Sequence, residues 1–227
     1  MAQAEAAEAV RECRLYVVSP PQLTLVQFMP QLEAVLKASA TNANAEPLVG
    51  AFLLQLDDAS EAEWKSAINQ IQPLCNAHQV AFMLHEHIEL AIEKNVDGVH
   101  VESTSIADAR ARLAEDQVVG KTCMASRDVA MKSGDQGADY VAFAPFFAQA
   151  TPSETAIAAP EIVQWWQELF VLPCAAAGGI TPQNCGDIVK AGADLLMVRG
   201  AVWQNPHGAD VAIATFDAAI TEALQNA

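Results

Sequence analysis

Short aliphatic or β-branched runs recur roughly every 20 to 30 residues along this chain of 227 residues, with helical spacing between them. That alternation leaves little choice besides a parallel sheet covered by helices. The runs fall at Arg14 to Ser19, Val49 to Leu56, Val80 to Leu84, Gly98 to Val101, Val118 to Thr122, Tyr140 to Phe143, Leu172 to Ala176 and Leu195 to Val198. Helices are expected near Thr24 to Ser39, Ser60 to Ala77, Ile88 to Lys94, Ile106 to Ala114, Ser126 to Gln136, Pro160 to Leu169, Pro182 to Ala191 and Ala209 to Leu224. Eight strands favour closure, so the expected fold is α/β, a single (β/α)8 TIM barrel spanning 14–227 behind an acidic, alanine-rich leader at 1–13. Three strands are announced by almost the same phrase, NVDGVHV, GADYVAF and GADLLMV. Each reads as a helix end, a carboxylate at the turn and an apolar strand, which places Asp97, Asp139 and Asp194 at the face where residues serve stability.

The stretch from Pro173 to Gly200 carries two anion-binding signals spaced as adjacent βα units. Gly178-Gly179 follows one apolar run and precedes Thr181-Pro182, read as the N-cap and first turn of a helix. Arg199-Gly200 follows the next run and leads into Ala201 to Trp203, read as one helical turn. Loops after strands 7 and 8 of a barrel, with a short extra helix, commonly hold phosphate. Glycines let backbone N–H groups approach an anion, and a helix N-terminus adds about half a positive charge. Gly178, Gly179, Arg199 and Gly200 are therefore the expected phosphate-binding residues, and the partner is expected to be a small phosphorylated molecule. The plainer alternative is that the glycines only end a buried strand.

Twelve basic against twenty-eight acidic residues give a net charge of -16, which repels nucleic acid and anionic membrane alike. No apolar run approaches the ~20 residues of a membrane span, and Met1 to Arg14 lacks a signal-peptide core. The five cysteines, Cys13, Cys75, Cys123, Cys174 and Cys185, contain no C-x-x-C pair and suggest reduced thiols in a cytoplasmic setting. Trp165-Trp166 reads as helix packing or a subunit contact, which leaves a homodimer open.

His85-Glu86-His87, with His100 and Glu102, is the cluster with metal-ligand character, since residues 85 and 87 share a face in an extended segment. The same His and Glu residues, with Thr122, are the candidates for catalytic acid or base work. Against this, His87 can cap the following helix and His100 can be a packed strand residue. Lys121 raises a Schiff-base reading, but alternation turns it toward the helices if Thr122 faces inward.

The phrases LYVVS, LLQL, FMLHEHIELAI, DGVHV, GADYVAFAPFF, GGIT and GADLLMV, in that order, make the chain resemble the thiamine phosphate synthase family and its thiazole tautomerase relatives over about Leu15 to Trp203. The resemblance implies a barrel that joins a pyrimidine diphosphate to a thiazole phosphate with help from Mg²⁺. It implies phosphate binding at Gly178 and Gly179, a pyrimidine contact at Gln55, and substrate contacts at Thr122 and Thr151. Where the family has Arg-Glu-Lys after strand 2, this chain has Asp57-Asp58-Ala59, and where it has Thr-x-Thr-Lys, this chain has Gln149-Ala150-Thr151-Pro152. The family's Asn-Asp is His85-Glu86, and its second metal aspartate falls near Ser105, leaving Glu86 and Glu102 as metal candidates. The tautomerase histidine is replaced within Ala144-Pro145-Phe146. The expectation is a divergent synthase-like barrel that binds a phosphorylated ligand, with its diphosphate and Mg²⁺ site degraded and synthase activity weak or absent. An active synthase and a non-catalytic binding protein are the alternatives.

Overall fold

A computed structural model describes residues 13–39, 46–147 and 157–226. Its elements run β1 (Arg14–Val18), α1 (Leu25–Ser39), β2 (Val49–Leu54), α2 (Glu61–Ala77), β3 (Ala81–His85), α3 (Ile88–Lys94), β4 (Gly98–Val101), α4 (Ile106–Arg110) and β5 (Val118–Met124). They continue with α5 (Arg127–Asp135), β6 (Tyr140–Phe143), α6 (Pro160–Leu169), β7 (Cys174–Ala177), α7 (Gly186–Lys190), β8 (Leu195–Val198), α8 (Gly200–Trp203) and α9 (Ala209–Gln225). All eight strands pair in parallel in chain order, and β8 closes on β1. The expected barrel is therefore the observed one. Among the described residues no helix is long and apolar enough to cross a membrane.

Strand alternation splits the apolar residues into two cores. Leu15, Val17, Phe82, Leu84, Val141 and Phe143 face the helix layer, while Tyr16, Val18, Met83, Tyr140, Ala142 and Met197 fill the barrel. Register within the closed sheet is held at the bottom by the three repeated aspartates. Asp97 donates its N–H to the Phe82 carbonyl (3.1 Å) and accepts the Phe82 N–H on its carboxylate (2.7 Å). Asp139 does the same with Val119 (2.8 and 2.7 Å), and Asp194 with Cys174 (3.0 and 2.8 Å). Each clamp ties the start of an even-numbered strand to its odd-numbered predecessor and satisfies a strand-end N–H that has no ladder partner.

Element ends depart from expectation where a side chain competes with the helix ladder. α4 stops at Arg110, short of Ala114, and the chain beyond it is closed by Gln117, whose Oε1 accepts the Ala114 N–H at 3.2 Å. α7 begins at Gly186, not Pro182. Asn184 holds the preceding turn by accepting from the Thr181 N–H (2.8 Å) and donating to the Gly179 carbonyl (3.0 Å), and Cys185 takes the N-cap position. β2 ends two residues early at Leu54, β3 is shifted one residue on to Ala81–His85, β5 runs on to Met124, and β7 starts two residues late at Cys174. The trailing Trp pair packs within the chain: Trp166 stacks on Phe170 and donates to the Leu172 carbonyl, while Trp165 carries the Arg127 guanidinium over its ring. All five cysteines are buried, and none forms a disulfide.

Inside the barrel one glycine is required by close approach. A Cβ on Gly120 would lie 1.9 Å from Cζ of Tyr140, whose ring fills that space. Gly120→Ala is expected to destabilise the fold by about 2–3 kcal/mol through overpacking, read as a lowered urea midpoint. An unchanged midpoint would place the Tyr140 ring elsewhere.

Candidate functional site

The same alternation that builds the inner core carries functional side chains to its upper rim. Continuing the inward parity of β2, β3, β4, β5 and β8 leads to Gln55, His85, His100, Thr122 and Arg199, and all five line one cavity of about 570 Å³. Gly178-Gly179 and Gly200 form another part of its wall. Lys121, of opposite parity, donates from Nζ to the carbonyls of Glu102 (2.6 Å) and Thr104 (3.0 Å), so it serves the β4–α4 loop and is not placed for a Schiff base.

The glycine turn is backbone-specific. Gly178 and Gly179 have φ of +94° and +70°, and a Cβ on Gly178 would come within 2.7 Å of Pro145. The expected helix dipole behind it is absent, because α7 starts seven residues further on. Positive charge in this wall comes instead from Arg199, whose guanidinium donates to Gln55 Oε1 across the mouth. Burial lowers the Arg199 pKa, while the nearby carboxylates of Asp57 and Glu102 favour its charged form.

Asp57 and Asp58, in the place of the family's Arg-Glu-Lys, follow Gln55 at the edge of this mouth. They do not line it: both border a neighbouring hollow of about 410 Å³ with Pro21, Leu23 and Leu56. Asp58 has φ of +54°, and the Asp57 N–H is tied to the Pro21 carbonyl (2.8 Å), so the segment turns aside after Gln55.

The His-Glu-His cluster also separates. Glu86 adopts φ of +61°, which breaks the extended geometry that would align His85 with His87. His87 sits at the α3 N-cap without a side-chain cap bond and packs its ring 4.2 Å from that of Trp64. His85 Nε2 lies 3.6 Å from Glu102 Oε2. Glu86 turns its carboxylate onto the next loop, accepting from the N–H groups of Glu102 (2.6 Å) and Ser103 (2.5 Å) and the Thr104 hydroxyl (2.6 Å). Burial would raise this carboxyl, but the hydrogen bonds outweigh it and hold the pKa at about 2.

Beneath the mouth lies a polar chain absent from the sequence expectations. His100, 2% exposed, contacts Tyr140 OH through Nδ1 (2.7 Å) and Thr122 Oγ1 through Nε2 (2.8 Å), and Tyr140 OH donates to Tyr16 OH (3.1 Å). Burial, with His85 nearby, lowers the His100 pKa to about 3, so the ring is neutral. The signal was present as inward-parity tyrosines on β1 and β6, but their meeting across the barrel is a property of closure.

The family model for thiamine monophosphate synthase matches residues 15–202. The chain belongs to the thiamine monophosphate synthase family. A thiamine-phosphate synthase from Rhodospirillum centenum is 41% identical over 208 residues, covering 91% of this chain and 97% of that protein. One from Erythrobacter litoralis is 38% identical over 209 residues, covering 90% and 95%. The structure of thiamine phosphate pyrophosphorylase from Pyrococcus furiosus superposes with a TM-score of 0.76 at 21% identity, covering 94% of this chain and 98% of that one, and shares its fold.

The Mg²⁺ implied by synthase-family resemblance requires oxygen ligands in a strict octahedron. The candidate donors here already have protein partners. Glu86 is spent on the loop, Glu102 faces His85, and Ser105 caps α4 by accepting from Asp108 N–H. Among the described residues no group of three or more His, Cys, Asp or Glu converges on a point for an ion. Thr151, the remaining substrate candidate, lies outside the described residues.

Acid stability follows from these groups. His100 titrates near 6.5 when unfolded and near 3 when folded, so between those values the unfolded chain binds more protons and stability falls as pH drops. Glu86 adds a second decline from about 4.5 to about 2. Urea midpoints are expected to be level above pH 6.5 and to fall below it, with His100→Gln removing the upper limb. Glu86→Gln should cost about 1–2 kcal/mol at pH 7, after discounting for partial exposure, and the difference should vanish toward pH 2.

Proposed function

We propose that the protein is a thiamine phosphate synthase, joining a pyrimidine diphosphate to a thiazole phosphate with release of diphosphate. The observation that carries this reading is the placement of Arg199. The cation that the segment after β2 lacks is supplied to the same mouth from β8 and held there against Gln55. A near full-length match to a curated synthase at 41% identity supports it. The roles divide by wall. Gly178-Gly179 and Gly200 approach the thiazole phosphate with backbone N–H groups, and Gln55 contacts the pyrimidine. Arg199 stabilises the negative charge that accumulates on the leaving diphosphate, where an opposite charge near a partly buried site is worth ~4 kcal/mol.

A second reading, a phosphate-binding relative with little turnover, is favoured by one observation: the Glu86 carboxylate is engaged by the loop at residues 102–104. Assay of the purified protein with both substrates, with and without Mg²⁺, separates the two. The synthase reading expects steady thiamine phosphate formation and a loss of ~10²-fold in kcat/KM for Arg199→Ala, partly restored by Arg199→Lys. The second reading expects negligible product from the wild type and a gain in the Asp57→Arg/Ala59→Lys double variant. No product from either protein overturns the synthase assignment.

A further inference from the structure

β1 stands between β8 and β2 in the closed sheet, and the end of β1 reaches out to both neighbours. On one side Ser19, 0% exposed, extends the pairing past the end of β2. Its hydroxyl accepts the Gln55 N–H (2.9 Å) and donates to the Gln55 carbonyl (2.8 Å), so one side chain pins both polar groups of the Gln55 backbone. On the other side the Val18 carbonyl accepts from the Trp203 indole Nε1 (2.6 Å), and the Trp203 ring packs 5.0 Å from that of Phe28 on α1. Trp203 ends α8, and the first turn of that helix hangs from the Arg199 carbonyl, which accepts the N–H groups of Val202 and Trp203 (both 3.1 Å). The end of β1 thereby sets the span between Gln55 and Arg199, whose side chains meet across the mouth.

An arginine only donates, so Gln55 meets Arg199 with the carbonyl oxygen of a neutral amide. The carboxylates of Asp57 and Glu102 lie close enough to act on the Arg199 charge, and direct pairing with either would cancel it. Among the described residues that line the cavity, Arg199 is the one lysine or arginine. We propose that Ser19 and Trp203 are positioning residues that hold Arg199 in the mouth, through Gln55 and α8, on a neutral partner that leaves its charge available to an anionic ligand. Neither residue lines the cavity, so both act at one remove. The class of anion, a diphosphate, rests on the synthase reading; the tethering of Arg199 does not.

Two measurements on the whole protein test it, with inorganic pyrophosphate as the probe. Ser19→Ala removes both bonds to Gln55, and Trp203→Phe removes the indole N–H while keeping a ring against Phe28. Calorimetric titration is expected to show pyrophosphate bound about five- to tenfold more weakly by each, as for the loss of one or two neutral hydrogen bonds. The Arg199 Nε–H signal in ¹H–¹⁵N NMR, slow to exchange with water in the wild type, should exchange faster in both. Gln55→Glu, which sets a carboxylate against Arg199, should weaken pyrophosphate binding more than Gln55→Ala, because it cancels the charge where the alanine only releases it. A merely structural role lowers the urea midpoint of the variants but leaves the Arg199 signal and the pyrophosphate affinity of the folded protein unchanged, and that result overturns the inference. Trp203→Phe alone decides it if Ser19→Ala does not fold. Gln55→Glu binding as tightly as Gln55→Ala, or a wild type that binds no pyrophosphate, overturns it as well. The expected binding pattern without thiamine phosphate formation sinks the synthase reading and leaves the tether standing; product formation with unaffected Ser19 and Trp203 variants does the reverse.

Discussion

Everything in the mouth depends on strand register, and register in this barrel is gripped by carboxylates at the opposite end. A slip of one residue in any strand would exchange its inward and outward sets. Gln55, His85, His100, Thr122 and Arg199 would then point into the helix layer, and the apolar residues beside them would face the ligand. Asp97, Asp139 and Asp194 oppose that slip with paired bonds to Phe82, Val119 and Cys174. They lie far from the chemistry, yet they determine which residues take part in it. Arg110 and Gln167 add further contacts to Asp139 and Asp194, so two of the three clamps are themselves held.

Above the clamps the barrel interior changes character with height. Met83, Ala142, Ala175 and Leu53 give an apolar middle, crossed by the hydroxyl–imidazole chain from Tyr16 to Thr122. Buried polar groups of this kind are tolerated because each has a partner, and among the described residues no buried side-chain N or O is left unpaired. The cost of burying an imidazole is met by keeping it neutral. The upper rim uses the opposite tactic: Arg199 stays charged within reach of Asp57 and Glu102, in a protein whose net charge of -16 makes a single well-placed cation influential.

The divergence from the family pattern after β2 takes on a different meaning in three dimensions. Along the chain, Asp57-Asp58-Ala59 looks like a cation clamp inverted into anions. In the fold those carboxylates border the adjacent hollow, and Arg199 has arrived in the mouth from the far end of the sequence, 144 positions from Gln55. Glu86 shows the reverse case. It keeps a carboxylate where the family has one, but a left-handed backbone turns it into a staple for residues 102–104.

The eight strands, their parallel order, the repeated aspartate joints and the glycine turn at Gly178-Gly179 were legible from residue order alone. Each rests on local physics: apolar periodicity, glycine's access to positive φ, and a carboxylate beside a strand start. The family itself was legible for the same reason, since its phrases are these local joints in sequence. What chain order could not decide was orientation. Whether His85 and His87 converge depends on one backbone angle at Glu86, and whether Asp57 faces the mouth depends on where Pro21 ties the loop. That Tyr16, Tyr140, His100 and Thr122 form one hydrogen-bonded chain follows only from closure of the barrel, which brings β1, β4, β5 and β6 around a common interior. Hydrogen bonds are directional and short, so they are settled by the tertiary structure, whereas burial and turn preference are settled residue by residue.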